Sequence, residues 1–250
     1  MLQRSLLDTN KHRRFGYVER PCSSKSEHLA RCVQLCNNAR MQRLRLTFSK
    51  TAAMRYTGHL DVHVAWERTF RRARLPLAYS QGFHPQPKIQ LASALPLGFT
   101  SECELVDVWL EETRDLAEVE AALKPAAPPG LPIHAIVEIP LLSPPLQVLL
   151  RSADFRVTTP APISADELKA RIEQLLAQTE IKRVRREKSY DLRPLIEHLA
   201  WEASADGSHT ILMRLAAREA ATGRPEEVLA ALGLEATPAR VHRLKLILAE

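Results

Sequence analysis

No run in this 250-residue chain approaches the eighteen apolar residues that a membrane-spanning helix requires, which excludes an integral helical membrane protein. No signal-peptide hydrophobic region follows the N-terminus either. Cysteine is scarce: four thiols cannot staple a disulfide framework, and the chain reads as cytoplasmic. Aromatic residues make up only 5% of the chain, and the aromatic-rich strand of the classical RNA-recognition motif is absent. What is present is 45% hydrophobic and 26% charged, enough for one large or two small domains with true cores.

The formal net charge of +6 is unevenly spread. Residues 1–40 carry eight Lys/Arg against three Asp/Glu, leaving a balance of only +1 for the other 210 residues. Within that remainder, residues 41–90 are +7, 91–180 are −8, 181–195 are +4 and 196–250 are −2. Segregation of this kind points to a directional surface more strongly than the total does.

Residues 1–40 show no sustained helical or strand period and read as a disordered extension. Cys22, Cys32 and Cys36 lie here. The Cys32/Cys36 spacing invites a C-x-x-x-C-x-x-C iron–sulfur motif, but its third thiolate would fall on Ala39, so the motif fails. Zinc would need a fourth ligand such as His28, at a spacing poor for a finger. Met41 directly precedes the first clean strand and is an alternative translation start.

From Met41 onward the periodicities are legible. Leu44, Leu46 and Phe48 alternate with Arg43, Arg45 and Thr47, the two-residue period of a half-buried strand. Gly58, with Asp61 three residues later, can start a helix whose apolar stripe is Val62, Trp66, Phe70 and Ala73, and Pro76 is expected to stop it. Residues 88–92 and 104–110 read as strands, 115–123 as a helix and 133–139 as a closing strand. The order is βαββαβ, the split pattern of ferredoxin-like domains. Seven prolines fall between Pro125 and Pro145, a stiff stretch at a domain boundary.

The order then repeats: strand 155–158, a helix opened by a Ser164/Glu167 capping box, strands 181–186 and 210–215, a helix opened by Pro225, and strand 241–248. The expected fold is α+β, with two tandem ferredoxin-like halves at 41–140 and 153–250, a Pro-rich linker at 141–152 and the extension in front. A single mixed α/β domain is the alternative.

The densest run of unusual residues is Leu77-Ala78-Tyr79-Ser80-Gln81-Gly82-Phe83-His84-Pro85-Gln86-Pro87-Lys88-Ile89. Two prolines around Gln86 stiffen a loop, Gly82 permits a turn, and aromatics stand close to His84. Ala94-Leu95-Pro96-Leu97-Gly98 forms a second rigid turn. With Gly58-His59-Leu60-Asp61 and Arg71-Arg72, these residues resemble the uncharacterised family of radical-SAM-linked proteins, whose members occur alone or fused behind a radical S-adenosylmethionine domain. The resemblance covers nearly all of 41–250, with Asp191-Leu192-Arg193-Pro194, Arg224-Pro225-Glu226-Glu227-Val228-Leu229 and Arg240-Val241-His242-Arg243 as C-terminal landmarks. The family's loop usually reads Ser-Glu-Gly-Phe-Asn-Pro-His-Pro and its helix start Ser-His-Leu-Asp, so Gly58, Gln81, His84 and Gln86 depart from it. The resemblance implies a separate radical SAM protein as partner and a link to radical chemistry on RNA. No cofactor is expected in this chain, which lacks the cluster motif.

An RNA surface would need cations for phosphates and aromatics for bases to stack on. Arg68, Arg71 and Arg72 share one helix face, and Arg43, Arg45 and Lys88 could project from the sheet face opposite the core. Lys182, Arg183, Arg185, Arg186 and Lys188 form a third cluster near Tyr190. Ordinary solvated faces are the plain alternative. His59 and His63 have the i, i+4 spacing of metal ligands but no evident third ligand, so no metal is expected. His84 or His59 could serve as a general base if an orienting partner faced it. Asp191 with Arg193 reads as a turn and ion pair, and Arg240 and Arg243 as anchors of the last strand or part of the basic surface.

The leading expectation is a non-catalytic accessory module that positions RNA for a separate radical SAM enzyme. Its contact residues would be Arg68, Arg71, Arg72, Tyr79, Ser80, Gly82, Phe83, His84, Pro85, Pro87 and Lys88, with Lys182, Arg183, Arg185 and Arg186. An RNA-processing or RNA-modifying enzyme using His84 or His59 is the second reading. A protein-interaction scaffold, for which the acidic 91–180 stretch matters more, is the third.

Overall fold

The computed structural model describes residues 40–160, 163–185, 187–203 and 208–249. The expected extension with Cys22, Cys32, Cys36 and His28 lies outside the described residues, as does Arg186.

The N-terminal part runs β1 (Gln42–Lys50), α1 (His59–Arg72), β2 (Ile89–Leu91), β3 (Thr100–Leu110), α2 (Leu116–Ala126) and β4 (Ile133–Ile139). The alternation in β1 sorts its residues as the period requires: Leu44, Leu46 and Phe48 are buried against Val62, Trp66 and Phe70 of α1 and Val106, Val108 and Leu110 of β3. The Trp66 ring meets Phe48 edge-on at 4.7 Å and stacks on Phe70 at 5.4 Å, which fixes α1 across the sheet.

Local chemistry sets the helix ends. The Gly58 N–H donates to the Asp61 carboxylate at 3.3 Å, and Asp115 accepts from the N–H groups of Ala117 and Glu118 at the start of α2. The end of α1 is a correction. The helix stops at Arg72, before Pro76 is reached, because Arg74 turns into the left-handed region (φ 55°). Arg74 N then donates to Arg71 O and Leu75 N to Phe70 O, a Schellman closure.

The C-terminal part runs α3 (Leu146–Leu149), β5 (Leu150–Thr159), α4 (Ala165–Ala177), β6 (Lys182–Arg185), β7 (Lys188–Asp191), β8 (Ile196–Ala203), β9 (His209–Arg218), β10 (Ala221–Thr222), α5 (Pro225–Ala231) and β11 (Arg240–Leu248). Ser164 Oγ accepts from Glu167 N as a cap should, but the Glu167 carboxylate pairs with Arg171 at 2.6 Å instead of returning to Ser164. The strand expected at 181–186 does not join the main sheet. It pairs with β7 as a separate hairpin, and the place beside β9 is taken by β8. Periodicity hides β8 because its pairing slips between Ile196 and His198, so its apolar residues do not alternate cleanly.

The main sheet is mixed and has nine strands, in the order β10-β9-β5-β11-β3-β1-β4, with β2 also on β3 and β8 also on β9. Its two stretches β4-β1-β3-β2 and β11-β5-β9-β8 are both built around the first strand of their part. They meet where β11 runs parallel to β3 through His242↔Thr100 and Arg243↔Ser101. This junction exists because β2 is only three residues long: it covers β3 at Val106–Val108 and leaves the other end of that edge open. No helix among the described residues is long and apolar enough to cross a membrane.

Candidate functional site

The α1 arginines are brought together as their spacing requires. With Val62, Trp66 and Phe70 turned into the core, Arg68, Arg71 and Arg72 stand exposed. They line an open cleft of about 520 Å³ with Ala65 and Pro128. Arg71 is paired with Glu67 at 2.8 Å, whereas Arg68 and Arg72 have no carboxylate in bonding range among the described residues. Among the described residues two guanidinium groups are therefore left for an external anion, next to a helix C-terminus where cations are already favoured.

The loop at 79–88 is closed at its neck and open at its tip. Tyr79 bridges Pro87, Ser80 N donates to Gln86 O at 2.8 Å, and Gln86 N donates to Ser80 Oγ at 3.0 Å. Gly82 at φ 151° makes the bend. Phe83 is fully exposed at the tip, with His84 and Pro85 beside it. Pro87 is buried and Tyr79 packs on the core, so these two anchor the loop instead of offering contacts. Lys88 is exposed, its backbone held by Ala78 O and Trp109 N. His84 has no hydrogen-bond partner among the described residues, so the orienting group a general base needs is not beside it.

The third cluster divides. Lys182 and Lys188 are exposed on the β6–β7 hairpin, Lys182 within 3.4 Å of Glu180. Arg183 and Arg185 are half-buried on the side of Tyr190. Burial and the Glu227 carboxylate push the Tyr190 hydroxyl up, and burial together with Arg185 pushes Arg224 down. This hairpin belongs to the C-terminal part beside α5, while α1 and the loop belong to the N-terminal part.

Arg43 and Arg45 do not form a solvent-facing basic strip. Both converge on Asp107 of β3, which is wholly buried. Arg43 Nε and Nη2 donate to Asp107 Oδ2 at 3.1 and 2.6 Å, and Arg45 Nε donates to Oδ1 at 2.8 Å. Ser143 O and Pro144 O accept the remaining Arg43 donors, and the Trp109 ring lies 4.5 Å from its guanidinium. The Asp191 carboxylate, likewise, accepts from the backbone N–H groups of Ile181 and Arg193, while the Arg193 guanidinium goes to Leu176 O and Ile196 O.

The site that sequence reasoning missed is internal. Lys50 at the end of β1, His59 at the start of α1 and Glu104 of β3 face one cavity of about 10 Å³, roughly the space one water needs. Arg243 of β11 reaches Glu104 from the C-terminal part. Its Nη1 donates to both Glu104 oxygens at 3.1 and 2.9 Å, and Nη2 donates to Ala94 O at 2.9 Å. Lys50 Nζ donates to Arg55 O at 3.3 Å. Burial pushes Glu104 up, with Arg243 opposing. Burial pushes Lys50 down, with Glu104 opposing, and it pushes His59 down with help from His63 and Arg243. His63 itself contacts Ile89 O at 3.4 Å. The helix-start position marks His59 and the last-strand motif marks Arg243 as an anchor; Lys50 and Glu104 lie far apart in sequence and carry no signal.

The family described as "Uncharacterized protein conserved in bacteria (DUF2344)" matches residues 43–225. No curated protein matches the chain. Similar solved structures include a crystal structure of a Cbf5-Nop10-Gar1 complex, with 9% identity over 81% of this chain and 48% of that one and a TM-score of 0.47. A structure of an H/ACA RNP bound to a substrate RNA containing 2'-deoxyuridine has 10% identity over 81% of this chain and 47% of that one, with a TM-score of 0.44. The chain spans about half the length of these relatives.

Proposed function

The chain belongs to this bacterial family, and we propose that it is a non-catalytic accessory module that binds RNA and positions it for a separate enzyme. The observation that carries this reading is the open cleft beside Arg68 and Arg72, two exposed guanidinium groups without carboxylate partners among the described residues. Arginines so placed are suited to phosphate oxygens, and the exposed Phe83 ring offers a face on which a base can stack. The partner's class, a radical S-adenosylmethionine enzyme, comes from the family resemblance alone. In this reading the two βαββαβ stretches, 41–140 and 153–250, are ferredoxin-like halves fused through β3 and β11, and the protein works in the cytoplasm.

The test is binding of the full chain to total cellular RNA across a salt titration. Arg68→Glu with Arg72→Glu is expected to lower the slope of log K against log salt by about 2, roughly one per lost phosphate contact. Phe83→Ala is expected to weaken binding without changing the slope. Affinity unchanged by the double charge reversal at low salt removes this face as the RNA site.

A second reading, an RNA-modifying enzyme, is favoured by one observation: His59 shares its cavity with Lys50 and Glu104, and environments that shift three titratable groups gather at functional sites. It requires that purified protein alone change an RNA, and that His59→Gln abolish the change while RNA binding persists.

A further inference from the structure

A cleft of about 270 Å³ lies where the 93–99 turn of the N-terminal part faces β5, β9 and the start of α5. Its walls are small or aromatic: Ala94 and Phe99 on one side, Phe155 and Ala217 on the other. The small side chains leave a slot and the two rings line it. The volume lies just under the roughly 300 Å³ at which ligand clefts begin, so the cleft suits a small molecule. Most ligand pockets combine such apolar walls with a few polar groups, and they favour the boundary between two parts of a fold.

The charged groups lining it are Arg243, Arg224 and the exposed Glu226, two basic against one acidic, with Ser93 and Thr222 as hydroxyl groups. Arg243 is 3% exposed, and its Nε has no hydrogen-bond partner among the described residues. The Arg224 guanidinium makes no hydrogen bond among the described residues, although Glu226 and Glu227 lie near it. Behind the cleft, Lys50 and Arg243 face a single carboxylate, Glu104, so the buried cluster holds one more basic group than acidic ones. An apolar slot backed by surplus basic groups is matched by a ligand with a flat body and one acidic head.

We propose that this cleft is a binding site for a small ring-bearing organic acid, its ring in the slot between Phe99 and Phe155 and its acidic group toward Arg224 and Arg243. The site does not rest on the RNA reading and can stand if that reading falls. The acid can be a carboxylate or a phosphate monoester, and calorimetric titration of the full chain with indole-3-acetate in one series and uridine monophosphate in another separates the two sources.

Saturable binding in either series is expected. It should be weakened about tenfold by Arg224→Gln, which removes a charged hydrogen-bond donor, and abolished by Ala217→Trp, which fills the slot from a partly exposed strand position. Both variants avoid the Arg243–Glu104 pair, which joins β11 to β3, and a thermal melt close to wild type confirms that each is folded. Absence of binding in both series overturns the proposal. So does binding that both variants leave intact, or binding of inorganic phosphate as tight as that of the organic acids.

Discussion

The arginines of β1 and those of α1 look alike in sequence, both lying in the +7 stretch of residues 41–90, and the fold puts them to opposite uses. Arg43 and Arg45 sit on a strand flanked on both sides, where the neighbouring β3 delivers Asp107 to their guanidinium groups. Arg68 and Arg72 sit on the outer layer, where nothing among the described residues packs over the helix face opposite Trp66. A charge count on sequence is therefore an upper bound on free surface charge. What subtracts from it is cross-strand pairing, invisible until register is known.

The largest expected effect tests that contrast directly. Asp107→Asn leaves two arginines, one of them 2% exposed, sharing a neutral amide in place of a carboxylate. Breaking a buried pair of this kind should cost about 3–5 kcal/mol, read as a lower denaturation midpoint. Replacing Arg68 and Arg72 by Gln should move stability by no more than ~0.5 kcal/mol each, as ordinary surface substitutions do. Equal losses at the two places would mean that the α1 arginines are also structural, and the RNA face would lose its argument.

The same contrast explains what could be read without coordinates. Strand β1, helix α1 and the helix starts at Gly58 and Ser164 follow from local pattern, because each is decided by residues within one or two turns of it. The Arg68/Arg71/Arg72 face was legible for the same reason. Strand β8 was not, since a pairing slip breaks its period, and neither was the switch of the 181–186 segment into a separate hairpin. The Lys50–Glu104–Arg243 cluster was hidden more deeply. It depends on β11 pairing with β3, a contact between His242 and Thr100, 142 positions apart.

That cluster differs from the Asp107 cluster in how completely its charges are answered. Asp107 receives four hydrogen bonds, two from each of two arginines, whereas Glu104 faces Lys50 and an Arg243 whose Nε is unpartnered among the described residues. Burial already penalises the charged form of Glu104. Glu104→Gln should therefore cost less than Asp107→Asn, about 1–3 kcal/mol, the range for a hydrogen-bond partner left partly unmade. A loss equal to that of Asp107→Asn would mean that the two clusters are equally well satisfied.

The smallest effect has the most telling sign. Burial lowers Lys50 from its ordinary 10.5, Arg243 adds to this and Glu104 opposes it. Between the lowered folded value and 10.5 the unfolded chain holds a proton that the folded chain has released, so this group makes stability rise with pH across that window. Below the window both states are protonated and the folded state carries the full penalty of a buried ammonium. Lys50→Met exchanges that ammonium for apolar volume and leaves Glu104 paired with Arg243, so near neutral pH it should stabilise the fold by about 1 kcal/mol, the low end for such exchanges. The advantage should shrink as pH climbs toward 10.5, measured as the difference in unfolding free energy between variant and wild type at a series of pH values. A variant less stable at neutral pH would make Lys50 a working partner of Glu104, and the surplus positive charge behind the cleft would disappear from the argument.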